Sequence, residues 1–116
     1  MAYDLNNPKD ASDLADDLIR TAKKNKEAKF LSEVKQRAKD IAAMQINSMA
    51  INEAIKNGSF NHNGGVEVSV YSSPNDEFVY AVATELRALG WRVITGDDCR
   101  DSNFKEIRIV LGKETI

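Results

Sequence analysis

Apolar residues in the first half of the chain recur at helical spacing. Leu14, Leu18 and Ala22 follow one another every four residues, which gives a narrow apolar stripe on one helix face. The stretch 23–29 interrupts this pattern but holds no glycine or proline that would stop a helix. The sequence therefore predicts a helical part over residues 8–57, and it leaves open whether this part is one long helix or a helical hairpin.

The end of this helical part is apolar on more than one side. In residues 41–55, Ile41 continues the stripe, whereas Met44, Ile46 and Ile51 lie off it. A helix that is apolar around most of its circumference must be covered on most of it. We therefore expect this segment to pack on the sheet of its own chain and also on a second copy, which makes the protein a homo-oligomer.

The second half of the chain changes to the two-residue period of β-strands. The segment VEVSVY at 66–71 alternates valine with other residues, WRVIT begins a second strand at Trp91, and FKEIRIVLG begins a third at Phe104. The third strand is predicted to face one way with Ile107, Ile109 and Leu111 and the other way with Glu106, Arg108 and Val110. The second and third strands should form an antiparallel hairpin around the polar loop GDDCRDSN.

A helix joins the first two strands. Ser73 is its predicted cap, Pro74 its first residue, and Gly90 its stop. The predicted inner face consists of Phe78, Val82, Leu86 and Leu89, with Val79 alongside. The order of elements predicts an α+β fold: a long N-terminal helix or helical hairpin, then a β-α-β-β module over 59–112 with a small three-stranded sheet.

Length and composition narrow the classes of function. The 116 residues suit one domain, and the net charge of −2 gives no general attraction for nucleic acid or an anionic membrane. The single cysteine, Cys99, has no partner for an internal disulfide or a zinc site. No run of about 18 apolar residues predicts a membrane span, so we expect a cytoplasmic protein without membrane partners.

The charges are unevenly placed along the helical part. Residues 1–19 carry five aspartates against Lys9, a net charge of −4, whereas residues 20–39 carry eight basic residues against Glu27 and Glu33, a net charge of +6. The basic run could follow a phosphate backbone, but only one aromatic residue, Phe30, lies within it for base stacking. A nucleic-acid-binding accessory protein is therefore one alternative, for which affinity should fall steeply with salt.

Two polar motifs invite a catalytic or metal-binding interpretation. His62, in FNHNGG, has no serine, cysteine or carboxylate at a spacing that would make it a base or a ligand. Asp97, Asp98 and Asp101 lack the spacing of a calcium loop. We expect an exposed turn and a solvated hairpin tip, hence no enzyme, metal or cofactor, although any other role of these residues stays open.

A different set of side chains predicts a ligand site without catalysis. Guanidinium groups hold phosphate in a bidentate manner, an aromatic ring stacks on a base, and an asparagine amide hydrogen-bonds a base or ribose. The hairpin and its loop carry these groups close together, beside Trp91 in the sequence. The predicted ligand-binding residues are Arg92, Arg100, Asn103, Phe104 and Arg108.

Residues 50–112 also resemble a known layout. The segments NEAIKNGSF, VEVSVY, LRALGWRV and EIRIVLG, in this order, resemble small accessory proteins of bacteriophages, most closely the type that counters the Thoeris defence system. The resemblance implies a non-enzymatic homo-oligomer that sequesters a cyclic nucleotide or cyclic ADP-ribose signal in the host cytoplasm. The alternative is an inhibitor or assembly protein that binds a host or phage protein through the acidic first helix or through residues 41–55.

Overall fold

The observed order of elements is the predicted one. Residues 3–115, which this computed structural model describes, form the helix α1 (Pro8–Asp40), a π-helical turn (Ile41–Gln45), α2 (Ser48–Lys56), β1 (Val66–Ser73), α3 (Asp76–Ala88), β2 (Val93–Asp98) and β3 (Asp101–Leu111). The α+β class is therefore confirmed. The chain divides into two compact units, Met1–Glu33 and Val34–Ile116, while the prediction of a single domain stays a prediction.

The question of one helix or two is answered at residues 46–47. The stretch 23–29 stays helical, because its lysines, glutamate and alanine favour helix and nothing in it breaks one. The chain turns instead at Asn47, whose backbone is extended and whose side-chain oxygen accepts a hydrogen bond from the Ala50 N–H at 2.9 Å. Asn47 thus ends the long helical run and caps α2.

In the first unit, the predicted stripe of α1 is only partly covered. Leu14 is half-buried, whereas the Leu18 side chain is 62% exposed. The Tyr3 hydroxyl donates a hydrogen bond to the Asp17 carboxylate, which ties the segment before α1 to the helix. The described residues of this unit leave both Leu18 and Ile19 open to solvent.

The second unit has its core between helices and one face of the sheet. The sheet order is β1-β3-β2 with both pairings antiparallel, as the predicted hairpin requires. Val68 pairs with Ile109, and Ile109 pairs with Val93, so these residues share a face. The core is apolar and fully covered: Val34, Ala38, Ile41, Ala54, Val66, Val68, Val70, Val79, Val82, Ala83, Leu86, Ile107, Ile109 and Val110 are buried.

The hairpin loop is shorter than predicted. Gly96 pairs with Glu106 and Asp97 with Lys105, so most of GDDCRDSN belongs to the strands, and the turn is only Cys99 and Arg100. The second strand begins at Val93 and not at Trp91. Two antiparallel strands can continue to pair where their side chains are polar and exposed to solvent. Polarity alone therefore does not show that a segment is a loop.

Two details of α3 also differ from the prediction. Asn75 caps the helix by accepting a hydrogen bond from the Phe78 N–H at 3.2 Å, whereas Ser73 ends β1 and only accepts from the Asn75 N–H. Leu89 is 56% exposed because α3 ends at Ala88 and Leu89 leaves the inner face; the small Ala83 is buried there instead.

At Gly65 the chain passes close to the backbone of Leu111 and Gly112. Gly65 has a φ of +90°, and a Cβ atom there would lie 2.5 Å from the Gly112 carbonyl oxygen and 2.6 Å from that of Leu111. Gly58 also has positive φ, +71°, but a Cβ there would meet no atom within 4 Å. We expect Gly65→Ala to lower the free energy of unfolding by roughly 3 kcal/mol or more, and Gly58→Ala by roughly 1 kcal/mol. Urea denaturation of both variants measures the difference, and equal losses would contradict this account of Gly65.

Candidate functional site

The sheet has one face toward α3 and a second face that carries polar side chains. The Tyr71 ring lies on the α3 side, where it meets the Phe78 ring edge-on at 6.1 Å. On the other side, Arg108 is flanked by Ser69 of β1 and Ile94 of β2. We name this side the polar face and define it by alternation along the strands as Glu67, Ser69, Ser72, Ile94, Phe104, Glu106 and Arg108.

Arg108 lies at the middle of the polar face and is held by two glutamates. Its Nε donates to Glu106 Oε2 at 3.0 Å, and its Nη1 donates to Glu67 Oε1 at 3.2 Å. The Ser69 hydroxyl donates to Glu106, and the Asn61 amide donates to Glu67 Oε2 at 3.1 Å. Both carboxylates therefore have second partners, and the network fixes the Arg108 side chain in one position.

This environment keeps Arg108 charged. Burial lowers the pKa of Arg108, but the hydrogen bond to Glu67 and the charge of Glu106 outweigh that effect, so its pKa lies above the ordinary value. Two negative charges surround this one positive charge. A ligand phosphate at Arg108 would have to compete with both glutamates.

A second ion pair pins the hairpin turn. Asp98 is buried; its Oδ2 accepts a hydrogen bond from the Ser72 hydroxyl at 2.8 Å, and its Oδ1 accepts one from the Arg100 backbone N–H at 2.8 Å. The Arg100 guanidinium lies 3.3 Å from Asp98 Oδ2. The Arg100 side chain above all, then its backbone N–H and Ser72, lower the pKa of Asp98 from 3.8 to about 2.

The five predicted ligand-binding residues do not meet in one pocket. Arg100 and Phe104 line one hollow of about 250 Å³, Arg108 lines another of about 300 Å³, and Arg92 lines a third of about 370 Å³. Asn103 is exposed, and its backbone N–H donates to the Asp101 carboxylate at 3.0 Å. The structure thus brings Arg100 and Phe104 together and spreads the others along the hairpin.

The spread follows from strand geometry. Phe104 and Arg108 are four residues apart in β3, and a strand rises about 3.3 Å per residue, so their Cα atoms lie roughly 13 Å apart. Residues several positions apart on one strand are therefore far apart in space, whereas residues paired across two strands or joined by the turn are close. Candidate residues that lie close together in the sequence therefore line different hollows along the sheet.

Sequence reasoning overlooked the partners of these arginines. The spacing of Glu106 and Arg108, two residues apart in a strand, was a readable signal for a same-face pair. Glu67 required the register of β1 on β3, which the sequence does not specify. Arg87 was also not predicted as a candidate ligand residue. The signal for it was its position in the last helical turn before Gly90, which brings a cation near the start of β2.

The two polar motifs have simple surroundings. His62 is exposed in the turn between Phe60 and Val66. Asp97 forms an ion pair with Lys105, and Asp98 is engaged by Arg100. Within residues 3–115, no group of three or more histidine, cysteine or acidic residues is arranged to hold a metal ion.

Comparison with other proteins adds no relative. No protein-family model matches the chain, and no similar protein emerges from comparison with curated proteins or with solved structures. None of the helices that the structure describes is long and apolar enough to cross a membrane.

The lowered pKa of Asp98 predicts how stability depends on pH. A carboxyl group whose pKa is depressed on folding contributes stability above its ordinary pKa of 3.8, and this stability is lost as the pH falls toward about 2. We expect Asp98→Asn to lower the Tm by roughly 5 °C at neutral pH. The gap between the two proteins should shrink between pH 4 and pH 2 in thermal melts. A gap that stays constant over this range would show that the charge of Asp98 is not its cause.

Proposed function

We propose that this chain is a non-enzymatic binding protein that captures a small signalling nucleotide and works as a homo-oligomer. This is the anti-defence role of the bacteriophage proteins whose layout residues 50–112 resemble. The observation that carries the proposal is the collection of arginine and aromatic side chains on and around the polar face of the sheet. Arginine side chains hold phosphate and aromatic rings stack on bases. Binding a nucleotide without reacting with it requires no catalytic acid, base or nucleophile.

Arg100 and Phe104 are the predicted contacts that share a hollow. The Arg100 side chain is 79% exposed, and only Nε and Nη2 of its guanidinium donate to Asp98. The guanidinium group has five N–H donors, so donors remain for a ligand. Phe104 is half-buried in the same hollow, where its ring can offer a stacking surface.

Arg108 fits a different role in this proposal. Its bonds to Glu67 and Glu106 neutralise it, and the bond to Glu67 joins the outer strand β1 to the central strand β3. We therefore assign Arg108 to positioning the polar face and not to direct contact with phosphate. Asn103, which points its backbone N–H at Asp101, keeps an exposed side chain at the end of the hairpin.

The helical segment 41–55 supports self-association. Ile41 and Ala54 are buried, but Met44 is 61%, Met49 81% and Ile55 46% exposed. Burial of one such side chain is worth about 1.5–3 kcal/mol, and methionine adapts to an irregular partner surface. A second copy that covers these three residues is the homo-oligomer we propose.

Native mass spectrometry tests nucleotide capture. The protein is incubated with cyclic mononucleotides, cyclic dinucleotides and cyclic ADP-ribose, and the complexes are measured before and after denaturation. We expect one of these ligands to be retained and released chemically intact. Arg100→Ala and Phe104→Leu should each weaken its binding about tenfold, which corresponds to about 1.4 kcal/mol.

The matched control for this experiment is Lys24→Ala, which removes an exposed cation from the first unit. It should leave nucleotide binding unchanged. If no member of the panel is retained, or if the ligand is released hydrolysed, the proposed function is wrong.

A protein partner in place of a second copy is the second candidate, favoured by the same exposed Met44, Met49 and Ile55. Light scattering coupled to size-exclusion chromatography distinguishes the two. We expect the wild-type protein to form an oligomer that dissociates on dilution, and Met44→Gln with Met49→Gln to shift it toward monomer, because polar side chains lose the apolar burial. A monomer at every concentration would rule out self-association and favour the protein partner.

A further inference from the structure

We infer that the hollow lined by Arg87, Trp91 and Arg92 binds the phosphate end of a phosphorylated ligand that has a planar ring. Asn61, Asn63, Val93, Ile94 and Val110 complete the lining. The inference rests on the proposed function only for the identity of the ligand. It assigns the phosphate to a part of the sheet other than the hollows of Arg100 and Arg108.

The end of α3 builds this hollow. Gly90 has a φ of +98°, which turns the chain after the helix, and the Trp91 N–H then donates back to the Leu86 carbonyl at 3.1 Å. Arg87 lies in the last turn of α3, so the reversal brings it beside the residues that follow Gly90. Arg87 before the turn at Gly90, and Trp91 and Arg92 after it, thus line the same hollow.

The hydrogen bonds of these two arginines differ from those of Arg100 and Arg108. Arg87 Nη2 donates to the Val93 carbonyl at 3.2 Å, and Arg92 Nη1 donates to the Gly112 carbonyl at 2.9 Å. A carbonyl orients a guanidinium but leaves its positive charge uncompensated. Neither arginine forms an ion pair with any carboxylate in the described part of the chain.

The charge of the hollow selects an anion. No acidic side chain lines it, so two positive charges face a space of about 370 Å³. Two guanidinium groups match the charge of a phosphate dianion and bind its oxygens at fixed angles. Electrostatic attraction is therefore stronger here than at Arg108, where two carboxylates compete.

Trp91 gives the hollow its preference for a ring. Its indole is half-buried in the wall, beside the apolar side chains of Ile94 and Val110. An aromatic ring can stack on any nucleobase, because every base has a π-face. A nucleoside monophosphate, which joins a dianionic phosphate to a planar base, has both of the features that this hollow recognises.

Tryptophan fluorescence reports on this site directly, because Trp91 is the only tryptophan in the chain. The intact protein is titrated with adenosine monophosphate, with adenosine and with inorganic pyrophosphate. We expect adenosine monophosphate to change the Trp91 emission with saturation, adenosine to bind at least tenfold more weakly, and added salt to weaken the binding of adenosine monophosphate.

Variants locate the phosphate. Arg87→Ala and Arg92→Ala should each weaken the binding of adenosine monophosphate about tenfold, and Arg92→Lys less, because lysine keeps the charge but not the bidentate geometry. Lys24→Ala, which removes an exposed cation that does not line this hollow, is the control and should bind as wild type. Circular dichroism identifies any variant that unfolds; at that position Arg87→Lys or Arg92→Lys, which keeps the charge, supplies the comparison.

The outcomes separate this inference from the proposed function. Equal binding of adenosine and its monophosphate, or wild-type affinity in both alanine variants, would overturn the inference. If the monophosphate binds through Arg87 and Arg92 while no signalling nucleotide is retained in native mass spectrometry, the inference stands and the proposed function fails. If a signalling nucleotide is retained equally by wild type and by Arg87→Ala and Arg92→Ala, the proposed function stands and the inference about this hollow fails.

Discussion

The ion-pair network of Glu67, Glu106 and Arg108 is the interaction on which the polar face of the sheet depends. Arg108 lies on the central strand, between neighbours on both sides, where its charge is partly removed from water. A guanidinium in such a position requires charged or polar partners, because the cost of desolvation is otherwise large. Glu106 on the same strand and Glu67 on β1 supply them. The network links β1 to β3 by side chains on one face, while apolar packing with α3 covers the other.

The four arginines from α3 to the end of β3 are of two kinds, according to the groups that accept their hydrogen bonds. Arg100 and Arg108 are held by carboxylates, and their charges serve the turn and the polar face. Arg87 and Arg92 are held by backbone carbonyls, and their charges remain available. Four side chains of one residue type thus have different chemistry because their acceptors differ. The distinction matters for the proposed nucleotide binding, since phosphate is attracted to charge that the protein has not already neutralised.

The helical part has its own division between covered and open surface. Ile41, from the π-helical turn, and Ala54, from α2, are buried, whereas Met44 and Met49 are open. The break at Asn47 separates the π-helical turn from α2, so the apolar residues of 41–55 do not share one continuous helix face. A partner molecule that covered these side chains would remove their apolar surface from water. It supports the proposal that copies of the chain assemble.

The sequence by itself determined the class of fold, the order of its elements, the two faces of β3 and the hairpin of β2 and β3. These follow from local periodicity and from turn residues such as Gly58 and Gly90, which act within a few neighbouring positions. It also predicted Arg92, Arg100, Asn103, Phe104 and Arg108 as candidate ligand residues by their chemistry. Only the tertiary structure decided which of these groups meet, because the register of β1 on β3 and the turn after α3 bring residues far apart in the chain together. Glu67 thereby neutralises Arg108, a pairing that local pattern does not specify, and Arg87 lines the same hollow as Arg92.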